Sequence, residues 1–407
     1  MKKKYILLAL VAICVIACAA AMGYMHFHTE EIPPELSFVS PEKEEKGKKD
    51  SEDIPNDVQK RVQEIMQDMT TDEKIYQLMF VRPETLTNVQ CAVRAGDSTQ
   101  KAIEQMPIGG IIYFSQNFQD ENQTKQMLSK TQEFARTVGA EIPLFMGVDE
   151  EGGMVARLAT KLGTTKFDDM EVYGKDNDSK QAYEIGQTLA KDISSFGFNM
   201  DFAPVADVLS NDNNTEIGAR SFGSDPKVVA NMVENEVKGL QEHGVMATLK
   251  HFPGHGSTES NSHKGTSESD RTLEQLQECD FVPFKAGIKQ NAAFILVSHM
   301  TATEIDDVPC TLSSKIVTDL LRKELGYQGI IITDGMDMGA ITENYSNGEA
   351  TVKAMQAGVD MILCPPSISD AYDALKKAIA NGELTEQRID ESVARILTAK
   401  LNYGLIQ

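Results

Sequence analysis

Eight short, almost uninterrupted apolar runs recur along this chain, and longer stretches with helical spacing separate them. The runs are Gln77–Val81, Gly110–Phe114, Pro143–Asp149, Asn199–Val205, Val245–His251, Phe294–Met300, Gly329–Asp334 and Met361–Pro365. A strand that alternates apolar and polar residues buries one face, whereas a strand apolar throughout buries both. Strands of the second kind belong in a parallel sheet covered by helices. The intervening stretches carry apolar residues three or four apart, as a helix with one buried face requires. Examples are Ile185, Leu189 and Ile193, then Val229, Val233, Val237 and Leu240, then Ile389, Val393, Ile396 and Leu397. Ahead of the first run, Val58, Val62, Ile65 and Met69 mark a further helix, and Thr70 with Glu73 spells a capping box for the next one.

Eight β/α units predict an α/β fold, a (β/α)8 TIM-type barrel forming a single domain over residues 54–407. An open doubly wound sheet is the competing architecture. The polar residues favour the barrel. Asp149, Asp207, Lys250-His251, Ser298-His299 and Asp334 all fall at or just past the C-terminal ends of the runs. A barrel gathers those ends around one mouth, while an open sheet spreads them along an edge.

The N-terminus reads differently. Lys2, Lys3 and Lys4 precede an uncharged apolar stretch from Tyr5 to Met25, the pattern of a secretory signal or a membrane anchor within residues 1–28. Val15-Ile16-Ala17-Cys18 resembles a bacterial lipobox, with Cys18 as the lipidated residue. The apolar stretch is also long enough to span a bilayer. Both readings place the rest of the chain outside the cytoplasmic membrane, with membrane contact through this segment only. Residues 29–53, rich in Glu, Lys, Ser and Pro, lack the material for a core and read as a disordered tether. The formal net charge of −22 repels phosphates, so nucleic acid is not an expected partner.

The densest chemistry lies in Lys250-His251-Phe252-Pro253-Gly254-His255-Gly256 and the residues up to His263. Three of the chain's seven His fall within it. Pro253 and Gly254 forbid a continuing helix, so the segment leaves the fifth strand as a long loop over the mouth. The same pair denies His251 and His255 the helical geometry of zinc-binding HxxxH pairs, and no metal is expected. Backbone carbonyls are the expected partners of His255. Asp334 ends an apolar strand, where an ionised carboxylate is costly unless paired or used. Asp337 is expected to cap the following helix. Asp149-Glu150-Glu151-Gly152-Gly153, with Arg157 beyond it, ends strand three, and its glycines serve close approach to a ligand or a tight turn. Arg220 sits in the loop after strand four, where a surface salt bridge is the alternative to a binding role.

Taken together, Asp149 to Gly153, Phe202 to Val208, Gly218 to Gly223, Lys250 to Gly256 and Thr333-Asp334 resemble glycoside hydrolase family 3. Within it, they are similar to the bacterial β-N-acetylglucosaminidases, over roughly residues 60–405. The resemblance implies a retaining exo-acting glycosidase, a carbohydrate substrate such as GlcNAc glycosides from cell-wall fragments, and no cofactor. It places the nucleophile on Asp334, the general acid/base on His263, and sugar contacts on Asp149, Arg157, Arg220, Lys250 and His251. A related β-glycosidase, a glycoside phosphorylase, and a sugar-binding barrel without activity are the competing functions. Two positions depart from the family pattern. Met154 stands where the family often carries Arg, which puts contacts beyond the first sugar in doubt. Asn261 stands two residues before His263, where the family usually carries Asp. Asn can orient an imidazole but brings no charge to stabilise its protonated form. Asn261→Asp is therefore expected to speed hydrolysis of a glycoside with a poor leaving group; an unchanged kcat on that substrate counts against the idea.

Overall fold

The computed structural model describes residues 56–258 and 267–407. The signal, anchor and tether readings, and the positions Asn261 and His263, lie outside the described residues. Among the described residues, no helix is long and apolar enough to cross a membrane.

All eight expected strands form: β1 Met79–Val81, β2 Gly110–Tyr113, β3 Phe145–Val148, β4 Met200–Asp201, β5 Met246–Phe252, β6 Phe294–Val297, β7 Ile330–Thr333 and β8 Ile362–Leu363. They lie side by side in the order β8-β1-β2-β3-β4-β5-β6-β7, every pair parallel. A parallel bridge between Ile332 and Met361 joins β7 to β8 and closes the ring. The chain is therefore a (β/α)8 barrel, and the open sheet is excluded. Most strands stop short of the apolar runs that predicted them, because the last residues of those runs already belong to the mouth loops.

The helices follow the apolar spacing. Ser179–Ser194, Pro226–Glu242 and Glu386–Asn402 bury their predicted stripes, and Asp178, Asp225 and Thr385 cap their first turns. The capping box forms as read, with the Glu73 carboxylate accepting from the Thr70 amide at 2.7 Å and the Thr70 hydroxyl from the Glu73 amide at 3.2 Å.

Aromatic rings pack against one another in the barrel core. Phe80 lies parallel to Phe145 at 6.5 Å between centroids and edge-on to Phe202 at 5.5 Å, while Phe145 meets Phe294 edge-on at 5.1 Å. Glycines make this possible. A Cβ on Gly110 would lie 2.6 Å from the Phe80 ring, and one on Gly147 would lie 2.7 Å from the Phe202 ring. Bare backbone at β2 and β3 thus gives the rings of Phe80 and Phe202 their room, which a close-packed interior does not otherwise supply.

The β7–β8 seam is short, and a buried ion cluster reinforces it. Asp360, just before β8, donates its amide to the Ile331 carbonyl at 2.7 Å and accepts the Ile331 amide at 3.0 Å. Its carboxylate also meets Arg322 at 2.6 Å, Arg395 at 3.0 Å, Arg388 at 3.8 Å and the Ser392 hydroxyl at 2.7 Å.

Candidate active site

The mouth is built from the residues that follow each strand. After β3 the chain folds into a small antiparallel pair, Glu150–Gly152 with Val155–Ala156. Gly152 and Gly153 make its turn at φ +94° and +52°, so the double glycine serves the turn. Extended backbone sends successive side chains to opposite sides. That alternation separates three consecutive acids. Glu150 turns away, and its carboxylate accepts the Leu158 and Ala159 amides at 2.7 and 3.0 Å at the start of the helix Arg157–Leu162. Asp149 and Glu151 instead share one cation.

That cation is Lys250 of β5. Its Nζ lies 2.8 Å from Asp149 Oδ1 and 2.6 Å from Glu151 Oε1. Two of its three ammonium hydrogens are thus used among the described residues. Burial disfavours the charge on Lys250, but Asp149 and Glu151 outweigh that and hold its pKa above the ordinary value. Arg220 closes the network from the loop after β4. Its Nε and Nη2 each donate to one Glu151 oxygen at 2.8 Å, and Nη1 donates to the Glu216 carbonyl at 3.0 Å. The arrangement is a planar two-point clamp, so the surface salt bridge considered for Arg220 is set aside. Burial works against the Glu151 carboxylate, yet Arg220 and Lys250 together hold it well below its usual range. Arg157 stands at the edge, 4.0 Å from Asp149 Oδ2 and about a third exposed at 32%.

His251, next to Lys250, is fixed by a different acid. Its Nδ1 lies 2.7 Å from Asp207 Oδ2 and its amide 3.2 Å from the same oxygen. Asp207 Oδ1 also accepts the His255 amide at 2.6 Å. Burial works against the charge of Asp207, but His251 and His255 outweigh it and keep the carboxyl ionised. The Nδ1–H tautomer satisfies the Asp207 contact and leaves Nε2 as the outer nitrogen.

Asp334 follows β7 directly and is partly buried. Its Oδ1 accepts the amide of Gly335 at 2.7 Å. The Gly335 carbonyl lies 2.9 Å from His299 Nε2, and the Thr311 hydroxyl lies 2.7 Å from His299 Nδ1. His299 therefore belongs to the support under Asp334 rather than to the mouth.

Three readings change or sharpen. Asp337 does not cap a helix: its carboxylate pairs with Arg82 of the loop after β1 at 2.9 Å, and Met338 occupies the cap position. His255 is not held by a backbone carbonyl at its ring; Nδ1 meets the Thr258 hydroxyl at 2.9 Å because that side chain folds back onto the loop stem. Glu151 and Asp207 carry as much of the geometry as the residues singled out from the sequence. The signal for both was their place in the strings Asp149–Gly153 and Phe202–Val208, but nothing in one sequence tells which acid of a run meets the cation. Met154, at the turn of the small pair, is 74% exposed.

Ordered charges beyond the C-terminal ends of the strands suit the chemistry of a polyhydroxylated ring. Carboxylates accept from hydroxyls, ammonium and guanidinium groups donate to them, and a carboxylate at a strand end can attack carbon.

Known proteins share this framework. Beta-hexosaminidase A of Pseudoalteromonas piscicida is 34% identical over 75% of this chain and 55% of its own length. Beta-hexosaminidase LpqI of Mycobacterium tuberculosis is 33% identical over 64% of this chain and 69% of its own. Among solved structures, a glycoside hydrolase family 3 beta-N-acetylglucosaminidase from Paenibacillus sp. str. FPU-7 superposes with a TM-score of 0.77 at 34% identity, covering 83% of this chain and 63% of that one. The chain thus spans little more than half the length of the first of these relatives. The sequence model described as "Glycosyl hydrolase family 3 N terminal domain" matches residues 70–399, nearly the whole barrel, and the chain belongs to that family.

Proposed function

We propose that this chain is a retaining exo-β-N-acetylglucosaminidase, held outside the cytoplasmic membrane by residues 1–28 and acting on cell-wall fragments or similar GlcNAc glycosides. The observation that carries the reading is the pre-formed rim in which Lys250 bridges Asp149 and Glu151 while His251 is locked by Asp207, with Asp334 at the end of a strand of the same barrel. Relatives named as beta-hexosaminidases support the substrate class.

In the first step Asp334 attacks the anomeric carbon as the glycosidic C–O bond breaks. The departing oxygen takes its proton from His263. In the second step water attacks the same carbon, gives its proton to His263, and releases Asp334. Two inversions retain configuration. An imidazole suits both halves because its unperturbed pKa, about 6.5, lies near operating pH. Asp149, Lys250, Arg220, Arg157 and His251 orient the ring, so that the reaction proceeds from a fixed geometry rather than from diffusion.

The test compares nitrophenyl β-GlcNAc with nitrophenyl β-glucoside, and follows the Asp334 peptide by mass spectrometry after exposure to a fluorinated GlcNAc donor. Preference for the GlcNAc substrate and a covalent adduct on Asp334 are expected. Turnover that requires phosphate and yields a sugar 1-phosphate would replace hydrolysis with phosphorolysis. Binding with neither turnover nor adduct would leave a sugar-binding barrel.

A further inference from the structure

On one side of the mouth, the first residues beyond four adjacent strands stand side by side. Arg82, Phe114, Asp334 and Cys364 directly follow β1, β2, β7 and β8, and those strands neighbour one another in the order β7-β8-β1-β2. The Arg82 guanidinium lies on the Phe114 ring, 4.3 Å from its centroid, with the Cys364 thiol beside it. Its Nη2 reaches across the end of β8 to Asp337 Oδ2 at 2.9 Å.

Asp337 belongs to the turn that holds Asp334. The Met338 amide donates to the Gly335 carbonyl at 3.0 Å, which closes residues 335–338 into a β-turn. The Met336 amide donates to the Leu363 carbonyl at 2.9 Å and ties that turn to β8. Asp334 Oδ1 accepts the Gly335 amide at 2.7 Å. A Cβ on Gly335 would lie 3.0 Å from Asp337 Oδ1, so the Asp337 carboxylate folds back onto the same residue. Its other oxygen is the one that Arg82 takes. Stability does not explain the pair. Both side chains are about a third exposed, at 32% and 33%, and ion pairs at that exposure contribute little. What the pair has is reach: it joins the loop after β1 to the turn beneath the nucleophile.

We propose that Arg82 and Asp337 are positioning residues for the nucleophile, a strut that fixes the Gly335–Met338 turn and, through the Gly335 amide, the direction of the Asp334 carboxylate. This rests on the proposed activity, in which Asp334 attacks the anomeric carbon. The strut acts through Asp334, so it sets the rate of attack and leaves sugar binding to the residues around Lys250. A misplacement of about 1 Å at a reacting atom can cost about 10²-fold in rate, and loss of one strut among several supports is expected to cost part of that.

The experiment compares wild type with Arg82→Met, Asp337→Ala, the double variant and Arg82→Lys. The readout is the rate of adduct formation on Asp334 with a fluorinated GlcNAc donor. At saturating donor that rate is expected to fall about tenfold in each of the first two, and no further in the double variant, because either change opens the same strut. The half-saturating donor concentration is expected to stay within about twofold, and Arg82→Lys, which keeps the charge, to recover the rate to within about threefold of wild type. The thermal midpoint is expected to hold. Amide exchange at Gly335 and Met338 is expected to quicken about tenfold in Arg82→Met. Single-variant rates within about twofold of wild type, or losses that multiply to about a hundredfold in the double variant, overturn the strut. So does a half-saturating concentration that rises while the saturated rate holds, or a rate loss matched by a lowered midpoint. A wild type that forms no adduct defeats the proposed activity instead, and exchange at Gly335 and Met338 then decides the strut: unchanged exchange overturns it.

Discussion

Asp334→Asn is expected to lower kcat on an aryl β-GlcNAc glycoside by at least about 10³-fold with little change in thermal midpoint. The substitution keeps shape and keeps the oxygen that accepts the Gly335 amide at 2.7 Å. It removes the one property a nucleophile needs, a lone pair carried on an anion. Each tenfold in rate is about 1.4 kcal/mol of barrier, so the loss corresponds to about 4 kcal/mol or more. Stability is insulated because Asp334 is only partly buried and its backbone amide, bonded to Val297 at 2.9 Å, is untouched. Steady-state kinetics with a melting curve checks both halves. Turnover within about tenfold of wild type, from a folded variant, removes Asp334 from the covalent role. KM is expected to change far less than kcat, since the groups assigned to holding the ring are elsewhere, on β5 and the loops after β3 and β4.

The barrel was legible because its signal is collective. No single run such as Phe294–Met300 proves a strand, but eight runs separated by helical spacing leave few architectures, and the polar residues at their ends select the closed one. Helix caps such as Thr70 and Glu73 were legible because their chemistry is local, three residues apart. Long-range pairing was not. Asp149, Glu150 and Glu151 are equivalent letters until the backbone is known to be extended there; then alternation sends two toward Lys250 and one to a helix start. Asp337 failed as a cap for the same reason, since its partner Arg82 lies some 250 residues earlier in the sequence. Asp280 carries no local mark at all: only the fold brings it beside both Gly254 and Arg271.

Asp360→Ala is expected to cost about 3–5 kcal/mol of stability at pH 7, the largest loss among single changes away from the mouth. The reason lies in what remains. Arg322 and Arg395 would keep their places around an empty centre, with Arg388 beside them, and burial together with mutual repulsion already lowers the pKa of Arg322 and Arg388. Removing the shared anion leaves buried guanidinium charge uncompensated. Asp360→Asn should cost less, because an amide can still accept from the Ile331 amide and meet Ser392. The pH dependence follows from sign. Burial tends to raise the Asp360 pKa, but the three arginines outweigh it and hold the folded value below 3.8. The stabilisation is then fully present above the unfolded pKa and fades as pH falls through the folded one. Urea unfolding at pH 7 and near pH 3 should show the gap between wild type and variant narrowing in acid. A loss under about 1 kcal/mol at pH 7 would mean that the cluster relaxes or hydrates when opened. The position gives the cost its meaning: Asp360 spans the seam where β7 and β8 share a single bridge, and Asp334 is the first residue beyond β7. A barrel that loosens there loses the strand end from which the nucleophile projects, so partial activity loss in folded Asp360→Asn would report on closure rather than on chemistry.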